Sequence, residues 1–504
     1  MSDQAFQYLA LGIYFLGMIA IGLWASTKNK DTEDYMLGGR SLRPGVAALS
    51  AGASDMSGWL VMGLPGAIYL TGLVDAWIAI GLTIGAWLNW KYTAPRLRAY
   101  SEVAGNAITI PSFFDNRLKA DGLASRILRI SCGVIILLFF IFYVSSGMVA
   151  GGKFYQTTFN GDYLVGMLVI AAITVLYTFF GGFLGATFTD VAQGLLMLIA
   201  LIMVPIVALF EFGGPAEVFD AVRHANPDAL SLTAGATVIG VISSLAWGLG
   251  YFGQPHIIVR FMALRSPADA PAARRVGISW MVLSVAGTIC TALTGIAYFS
   301  THPDAHLTDA KSAETVFLDL SQILFHPLVA GFVLAAVLAA IMSTVSSQLI
   351  VSSSAAVEDL AMLLIKRKPS PRAQLWMSRS AVLAVAVIAA LIALDSDSAI
   401  LDLVAFAWAG FGAAFGPIML LSLYWRRLTA EGALTAMISG ATVTILWKQL
   451  VEDPASTGIT GLYEIVPGFA VALVLGVVVS LATHKPSERI DREFDEAREL
   501  AAGR

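Results

Sequence analysis

Thirteen apolar stretches follow one another along almost the whole chain. They lie near residues 5–26, 46–73, 76–94, 127–151, 162–180, 187–211, 234–258, 277–300, 327–356, 376–394, 399–424, 430–450 and 462–483. A helix of about 20 apolar residues crosses a bilayer core, so stretches of this length are candidate membrane spans. Only 13% of the 504 residues are charged, against about 25% in an average soluble domain. The first stretch follows acidic Asp3, has no basic residue before it and shows no clear A-x-A cleavage site, so it reads as a retained helix rather than a signal peptide. No polar stretch exceeds about 35 residues, which is short of a soluble domain. Cys132 and Cys290 fall within apolar runs and suggest neither a disulfide framework nor a metal cluster.

Charge placement orients these spans. Alternate loops, beginning with 27–45, hold Lys28, Lys30, Arg40 and Arg43, then Lys91 to Arg129, Arg260 to Arg275, Lys366 to Arg379, Arg426 with Arg427, and the tail from Lys485. The opposite loops hold only Lys153, Arg223, Lys311 and Lys448 of the 31 basic residues. The richer side is expected to be cytoplasmic. An odd number of spans then puts the N-terminus outside and the C-terminus inside. The outer loop 212–233 carries Gly213, Gly214, Pro215 and Pro227, and the acidic loop 301–326 has room for a short amphipathic helix. The tail 484–504 is charged, helical or disordered, and carries no readable chemistry.

Two spans are interrupted. The second contains SAGASDMSGWLVMGLPG (Ser50–Gly66), with Gly52 and Gly58 flanking Asp55. A carboxylate inside a span is costly and marks a functional site by default; the alternative is a kinked helix with one polar residue tucked against a neighbour. The seventh contains SLAWGLGYFGQPHI (Ser244–Ile257), where Gly248, Gly250, Gly253 and Pro255 interrupt the run. Interrupted spans at corresponding positions of two halves point to an inverted-repeat transporter with a central site. Spans two to six and seven to eleven would be the repeats, with one, twelve and thirteen peripheral. The divisions expected are 1–45, the repeats 46–212 and 213–425, two helices in 426–483, and the tail 484–504. The weakest boundary is Gly181–Gly182, read as a short turn between two helices.

The ninth span reads LAAVLAAIMSTVSSQLIVSSS. Ala340, Ser343, Thr344 and Ser347 share one helix face. Such hydroxyls either bond the carbonyl one turn back or, with carbonyls freed at a break, ligate a hard cation. Asp55 could ligate the ion, pair with a base such as Arg40, or take a proton. Asp190 reads as a helix cap or an interfacial charge. Trp247, Tyr251 and Tyr143 sit nearer mid-segment than the interfacial aromatic belt and either pack or wall a site. No nucleotide-binding loop, HExxH or G-x-S-x-G occurs, and the pair His302 and His306 is too sparse for a metal site.

The runs LGGRSL (Leu37–Leu42), ALSAGASDMSGWLVMGLPGA (Ala48–Ala67), WGLGYFGQPHI (Trp247–Ile257), LAAIMST (Leu338–Thr344) and GFGAAFGP (Gly410–Pro417) resemble the solute:sodium symporter family, and within it the bacterial proline-carrying branch. The likeness covers about residues 5–480. It implies an all-α, polytopic protein of 13 transmembrane helices with a five-plus-five inverted-repeat core, in a bacterial inner membrane. It implies coupled uptake of L-proline with Na+, with no nucleic acid or obligate protein partner. By the same resemblance, sodium is held by the carbonyls of Ala53, Met56 and Ala340 and the hydroxyls of Ser343 and Thr344. Proline contacts Ser57, Gly58, Trp59, Tyr143, Trp247, Tyr251 and Pro255; apart from the resemblance, carbonyls freed near Gly248–Gly253 are expected to be open to its ammonium. Arg40, Asp55 and Asp190 match positions that serve coupling, Asp190 near a cytoplasmic exit for the ion.

Other readings stand beside this one. A pantothenate or sugar symporter would keep the ion site and change the solute. A membrane sensor of proline or osmolarity would normally need a signalling domain. A channel would show continuous pore-lining polarity rather than two broken helices.

Overall fold

A computed structural model of the chain describes residues 2–27, 32–119, 122–302, 307–365, 369–395, 399–452 and 461–503. Lys28, Lys30, Lys366 and His306 therefore lie outside the described residues. Those described form helices, with one isolated parallel bridge between Leu42 and Leu264. Among the described residues ten helices are long and apolar enough to cross a membrane, one of them, Leu73–Val103, running through a π-helical turn at Asn89–Thr93.

We number the principal helices in chain order. They are α1 (Asp3–Ser26), α2 (Pro44–Asp55), α3 (Leu64–Thr71), α4 (Ala76–Leu88), α5 (Ala94–Val103), α6 (Ile110–Leu118), α7 (Gly122–Phe159), α8 (Tyr163–Glu211), α9 (Val238–Ala246) and α10 (Pro255–Met262). Then come α11 (Ala270–Ser300), α12 (Pro327–Ser354), α13 (Pro371–Ile392), α14 (Ile400–Tyr424), α15 (Ala430–Glu452), α16 (Ile465–Thr483) and α17 (Glu488–Ala501). The interrupted stretches appear as broken helices: α2 and α3 with a π-helical turn Trp59–Gly63 between them, and α9 and α10 joined through a 3₁₀ stretch, Trp247–Gly253.

Helix α12 is the central post. From Val333 to Ser354 every residue is buried, the mark of a helix enclosed on all sides. It packs against α1, α2, α7, α8 and α13. Helix α13 buries only the stripe Ser378, Val382, Val385, Ala386 and Ala389, as expected where one face meets lipid.

Helix α8 is interrupted where the sequence reading divides it: its two halves meet at Gly182, a single non-helical residue (φ 61°, ψ −156°) at the expected Gly181–Gly182 boundary. L side chains avoid that conformation, and a Cβ there would also press on the Tyr35 ring.

Several charges counted as loop residues are internal. Lys153 lies buried in α7 and pairs with Glu314 Oε2 at 2.9 Å, while Glu314 Oε1 accepts the Ile400 N–H at 2.9 Å. The outer loops contain helices of their own, Pro215–Ala225 in one, and Ala310–Ala313 with Val316–Leu324 in the other. The tail folds as α17. Its Phe494 meets Tyr100 edge-on at 6.0 Å, and its Glu493 pairs with Lys119 at 2.7 Å.

Candidate functional site

Helix α2 ends because Met56 leaves helical geometry (φ −82°, ψ 86°). The Ser57 N–H, which would have closed a helical bond on Ala53, turns to the Asp55 carbonyl at 3.0 Å. The Ala53 carbonyl is thereby released from the helix ladder. It accepts Ser343 Oγ–H at 2.7 Å and Thr344 Oγ1–H at 3.5 Å from α12. Both hydroxyls also reach the Ala340 carbonyl at 3.2 Å. The two readings of these hydroxyls thus coexist: each bonds its own helix, and each crosses to the break. Four uncharged oxygens from two helices converge in a fully buried spot, a suitable donor set for a hard cation. Among the described residues no group of three or more His, Cys, Asp or Glu could hold a metal.

Met56, Ser57, Gly58 and Trp59 follow directly and are all buried. Trp59 donates its indole N–H to the Asp55 carbonyl at 3.0 Å, and its backbone N–H meets Ser57 Oγ at 3.4 Å. A Cβ on Gly58 would lie 3.0 Å from that of Ala150, so α7 closes on this side of the break.

Asp55 does not pair with Arg40. Its Oδ2 accepts a short hydrogen bond from the Tyr251 hydroxyl, while Oδ1 has no partner among the described residues. Asp55 and Tyr251 border a cavity of about 20 Å³ that also touches Met281, room for one water-sized occupant. Arg40 is placed elsewhere. It ties the first inner loop to Ser101 Oγ (2.9 Å), Asn106 Oδ1 (2.9 Å), the Ala107 carbonyl (2.7 Å) and the Met262 carbonyl (2.8 Å).

The second break is packed tightly. Gly85 and Gly248 put two backbones in contact, and a Cβ on Gly250 would enter the Trp408 indole. Pro255 has no N–H to give and starts α10 after extended Gln254 (ψ 106°). Two carbonyls expected to be open here are occupied: Trp247 O accepts from Trp408 Nε1 at 2.7 Å, and Tyr251 O from Asn89 Nδ2 at 2.9 Å. Trp247 stacks on Tyr463 (5.2 Å, 24°) and on Trp408 (6.4 Å, 29°), and Tyr251 meets Trp408 edge-on at 5.1 Å. Tyr143 stands on α7 with its ring 5.8 Å from His256 and its hydroxyl unpartnered among the described residues.

Asp190 is neither a cap nor interfacial. It lies inside α8, fully buried, and its Oδ2 accepts from Ser50 Oγ (2.7 Å), Arg260 Nη2 (3.2 Å) and Ser347 Oγ (3.4 Å). Ser50 precedes Ala53 by one turn on α2, and Ser347 follows Thr344 by one turn on α12. Arg260, counted as a loop charge, is buried and completes this pair. Sequence reasoning missed Arg260, Trp408 and Tyr463. A positive charge within HIIVRFM (His256–Met262) was the available signal for the first; the aromatics carried none.

Residues 35–440 match the model of the sodium:solute symporter family. The osmoregulated proline transporter OpuE of Bacillus subtilis (strain 168) is 50% identical over 489 residues, covering 96% of each chain. The high-affinity proline transporter PutP of the same strain is 50% identical over 480 residues, 95% of this chain and 98% of that one. A sodium/proline symporter of Staphylococcus aureus (strain JH9) is 48% identical over 498 residues, 98% of this chain and 96% of the relative. Among solved structures, a substrate-bound, outward-open Na+-coupled sialic acid symporter superposes with a TM-score of 0.77 at 18% identity, covering 96% of this chain and 99% of that one. The nucleobase-cation-symport-1 transporter MHP1 gives 0.54 at 14% identity, covering 93% and 99%. These two likenesses concern the fold.

Proposed function

The chain belongs to the sodium:solute symporter family, and from that premise we propose that it carries L-proline into the cell with sodium by alternating access. The observation that carries the ion half is the Ala53 carbonyl, released at the break and shared by Ser343 and Thr344. Sodium would sit among Ala53, Met56, Ala340, Ser343 and Thr344, with Asp55, two residues after Ala53, supplying negative charge. The solute half is supported by the proline transporters to which the chain is about half identical. The positive helix end at the restart of the second span, around Ser57, Gly58 and Trp59, suits a carboxylate, which would take over N–H groups that Asp55 O and Ser57 Oγ hold in this structure. Tyr143, Tyr251 and Trp247 would wall the ring, with Pro255 shaping the far side. Because Trp408 and Asn89 occupy two carbonyls of the second break, the secondary ammonium is assigned to the Tyr143 and Tyr251 side. There a π face attracts a cation by roughly 0.5–2 kcal/mol.

We read thirteen crossings: the ten long helices, with α8 counted twice at its bend, and the two broken ones. The repeats are 46–212 and 213–425, the N-terminus is outside, and the C-terminus is cytoplasmic in a bacterial inner membrane. A cysteine at Ser231 should react with an impermeant thiol reagent in intact cells, and one at Ser370 should not, with Cys132 and Cys290 replaced. Labelling of both overturns the thirteen-span reading.

The deciding experiment is counterflow of labelled proline in proteoliposomes of the purified chain. Exchange that needs sodium supports the proposal. Equal exchange with and without sodium, or none with proline, overturns it.

A further inference from the structure

Helix α12 does not end at Ser354. It continues through a π-helical turn, Ala355–Ala361, that turns the Asp359 side chain into the protein. A π turn inserts an extra residue and often marks a functional position. Asp359 is fully buried. Its Oδ1 accepts from Arg129 Nη2 at 3.1 Å and from Thr109 Oγ1 at 3.3 Å. Its Oδ2 has no hydrogen-bond partner among the described residues. The carboxylate borders a cavity of about 20 Å³, which Thr109, Ser354, Val259 and Val351 also line. That is room for one water molecule or a small ion.

Three features set this acid apart from a structural ion pair. First, Arg129 divides its hydrogen bonds, giving one to the Glu358 carbonyl at 2.6 Å, and so leaves half the carboxylate unspent. A buried charge only partly compensated is costly. Second, two hydroxyls, Thr109 and Ser354, stand with that oxygen among the otherwise apolar residues lining the cavity; Ser354 Oγ donates to the Ile350 carbonyl at 3.1 Å and Thr109 Oγ1 to Ser112 Oγ at 2.9 Å, so each can offer a lone pair to a hard cation. Third, the position continues a line. Ser343, Thr344, Ser347, Val351 and Ser354 recur at helical spacing on α12. The first two meet the Ala53 carbonyl, the third meets Asp190, and the last opens on the Asp359 cavity. Val259, beside Arg260, lines the same cavity, so it adjoins the Asp190 cluster.

We propose that Asp359, with Thr109 and Ser354, forms a second cation station on the cytoplasmic side, where sodium pauses after leaving the Ala53, Ser343 and Thr344 set. The inference rests on the sodium-symport reading. Arg129 competes for the same carboxylate and keeps the station weak, because an ion in transit must also leave. The route then runs along one face of α12, with an acid beside it at Asp190 and another at its end.

The test uses the purified full-length chain in proteoliposomes with sodium set independently on each side. Internal sodium should inhibit net proline uptake by refilling the inner station. Asp359→Asn should raise the internal sodium needed for half-inhibition by at least about tenfold, equivalent to about 1.4 kcal/mol. It should also cut net uptake more than it cuts proline exchange, since exchange does not require sodium to leave. Ser354→Ala, which changes no charge, should shift internal inhibition in the same direction by about threefold, or about 0.7 kcal/mol. Arg129→Gln should shift it the other way. If Asp359→Asn folds poorly, Ser354→Ala and Arg129→Gln carry the test by their opposite signs. Unchanged internal inhibition in these variants, or equal losses of uptake and exchange in Asp359→Asn, overturns the station. Failure of the wild type to show sodium-driven uptake would instead overturn the symport reading.

Discussion

The two broken helices look alike in sequence and do different things. At the first, the backbone opens. Met56 and Ser57 leave helical geometry, one carbonyl is released, and hydroxyls from another helix take it up. At the second, the backbone tightens into a 3₁₀ stretch whose glycines let neighbouring chains approach, and Trp408 and Asn89 already hold its carbonyls. The first break offers oxygens in a polar setting; the second offers rings in an apolar one. Glycine admits a neighbour in both cases, Trp280 against Gly52 and Ala150 against Gly58 at the first break and Trp408 against Gly250 at the second, while Met56 is the residue that breaks α2. The Tyr251 hydroxyl joins the two by its bond to Asp55. On the proposed assignment of sodium to the first break and solute to the second, this hydrogen bond would couple them, and each ligand should tighten the other by the same factor.

Removing charge at the first break should do the most damage. Asp55→Asn loses the carboxylate and weakens the bond from Tyr251, so sodium-driven uptake should fall by about 100-fold or more, as losing a charged interaction of about 3 kcal/mol implies. Asp55→Glu keeps the charge and should retain part of the activity. Equal, mild losses in both would mean that the first break is a kink and the contrast with the second is false.

The second break should respond in the solute. Trp247→Ala removes a ring stacked on two others and should weaken proline binding by about tenfold to thirtyfold, or about 1.4–2 kcal/mol. Sodium binding measured without proline should move by less than about threefold on the same scale. If both ligands weaken equally, the two breaks do not divide the work.

The α12 hydroxyls sharpen the division from the other side. Ser343→Ala and Thr344→Ala each delete one uncharged ligand worth about 1 kcal/mol, so half-saturating sodium should rise by roughly fivefold to tenfold. Raising external sodium should restore the maximal rate. Unchanged sodium dependence in both would remove the Ala53 carbonyl from the ion site.

Both breaks were legible in the sequence because glycine, proline and an acid inside apolar runs are local signals. The shared face of Ser343 and Thr344 was legible from helical spacing. What escaped were the partners supplied from a distance. Asp190 looked interfacial because its partner Arg260 is 70 residues away and was counted with the loop charges. Lys153 hid in the same way behind Glu314, 161 residues on. A lone charge in an apolar run fixes no partner; only packing brings the two together. Arg40 and Asp55, both singled out, proved to lie in separate hydrogen-bond networks.

The smallest expected effect tests whether the helices read as peripheral really are. Segments twelve and thirteen stand outside the proposed repeats, yet Tyr463, just before α16, stacks on Trp247 and donates its hydroxyl to the Ala405 carbonyl at 2.6 Å. Its backbone N–H meets Ser243 Oγ at 3.0 Å, and Ser243 donates in turn to the Gly461 carbonyl at 2.9 Å. The second break thus has an aromatic backstop from outside the repeats; among the described residues nothing of the kind touches the first. Tyr463→Phe keeps the stack and loses one hydrogen bond, whereas Tyr463→Leu loses both. An aromatic pair is worth about 0.5–1.5 kcal/mol beyond its burial. Tyr463→Leu should therefore weaken proline binding by about threefold to tenfold, and Tyr463→Phe by less. If the effect travels through the stack, Tyr463→Leu should cost little more once Trp247 is already alanine, because the cycle of single and double variants isolates that contact. Full additivity in that cycle would return α15 and α16 to the periphery and leave Trp247 to be positioned by Trp408 alone.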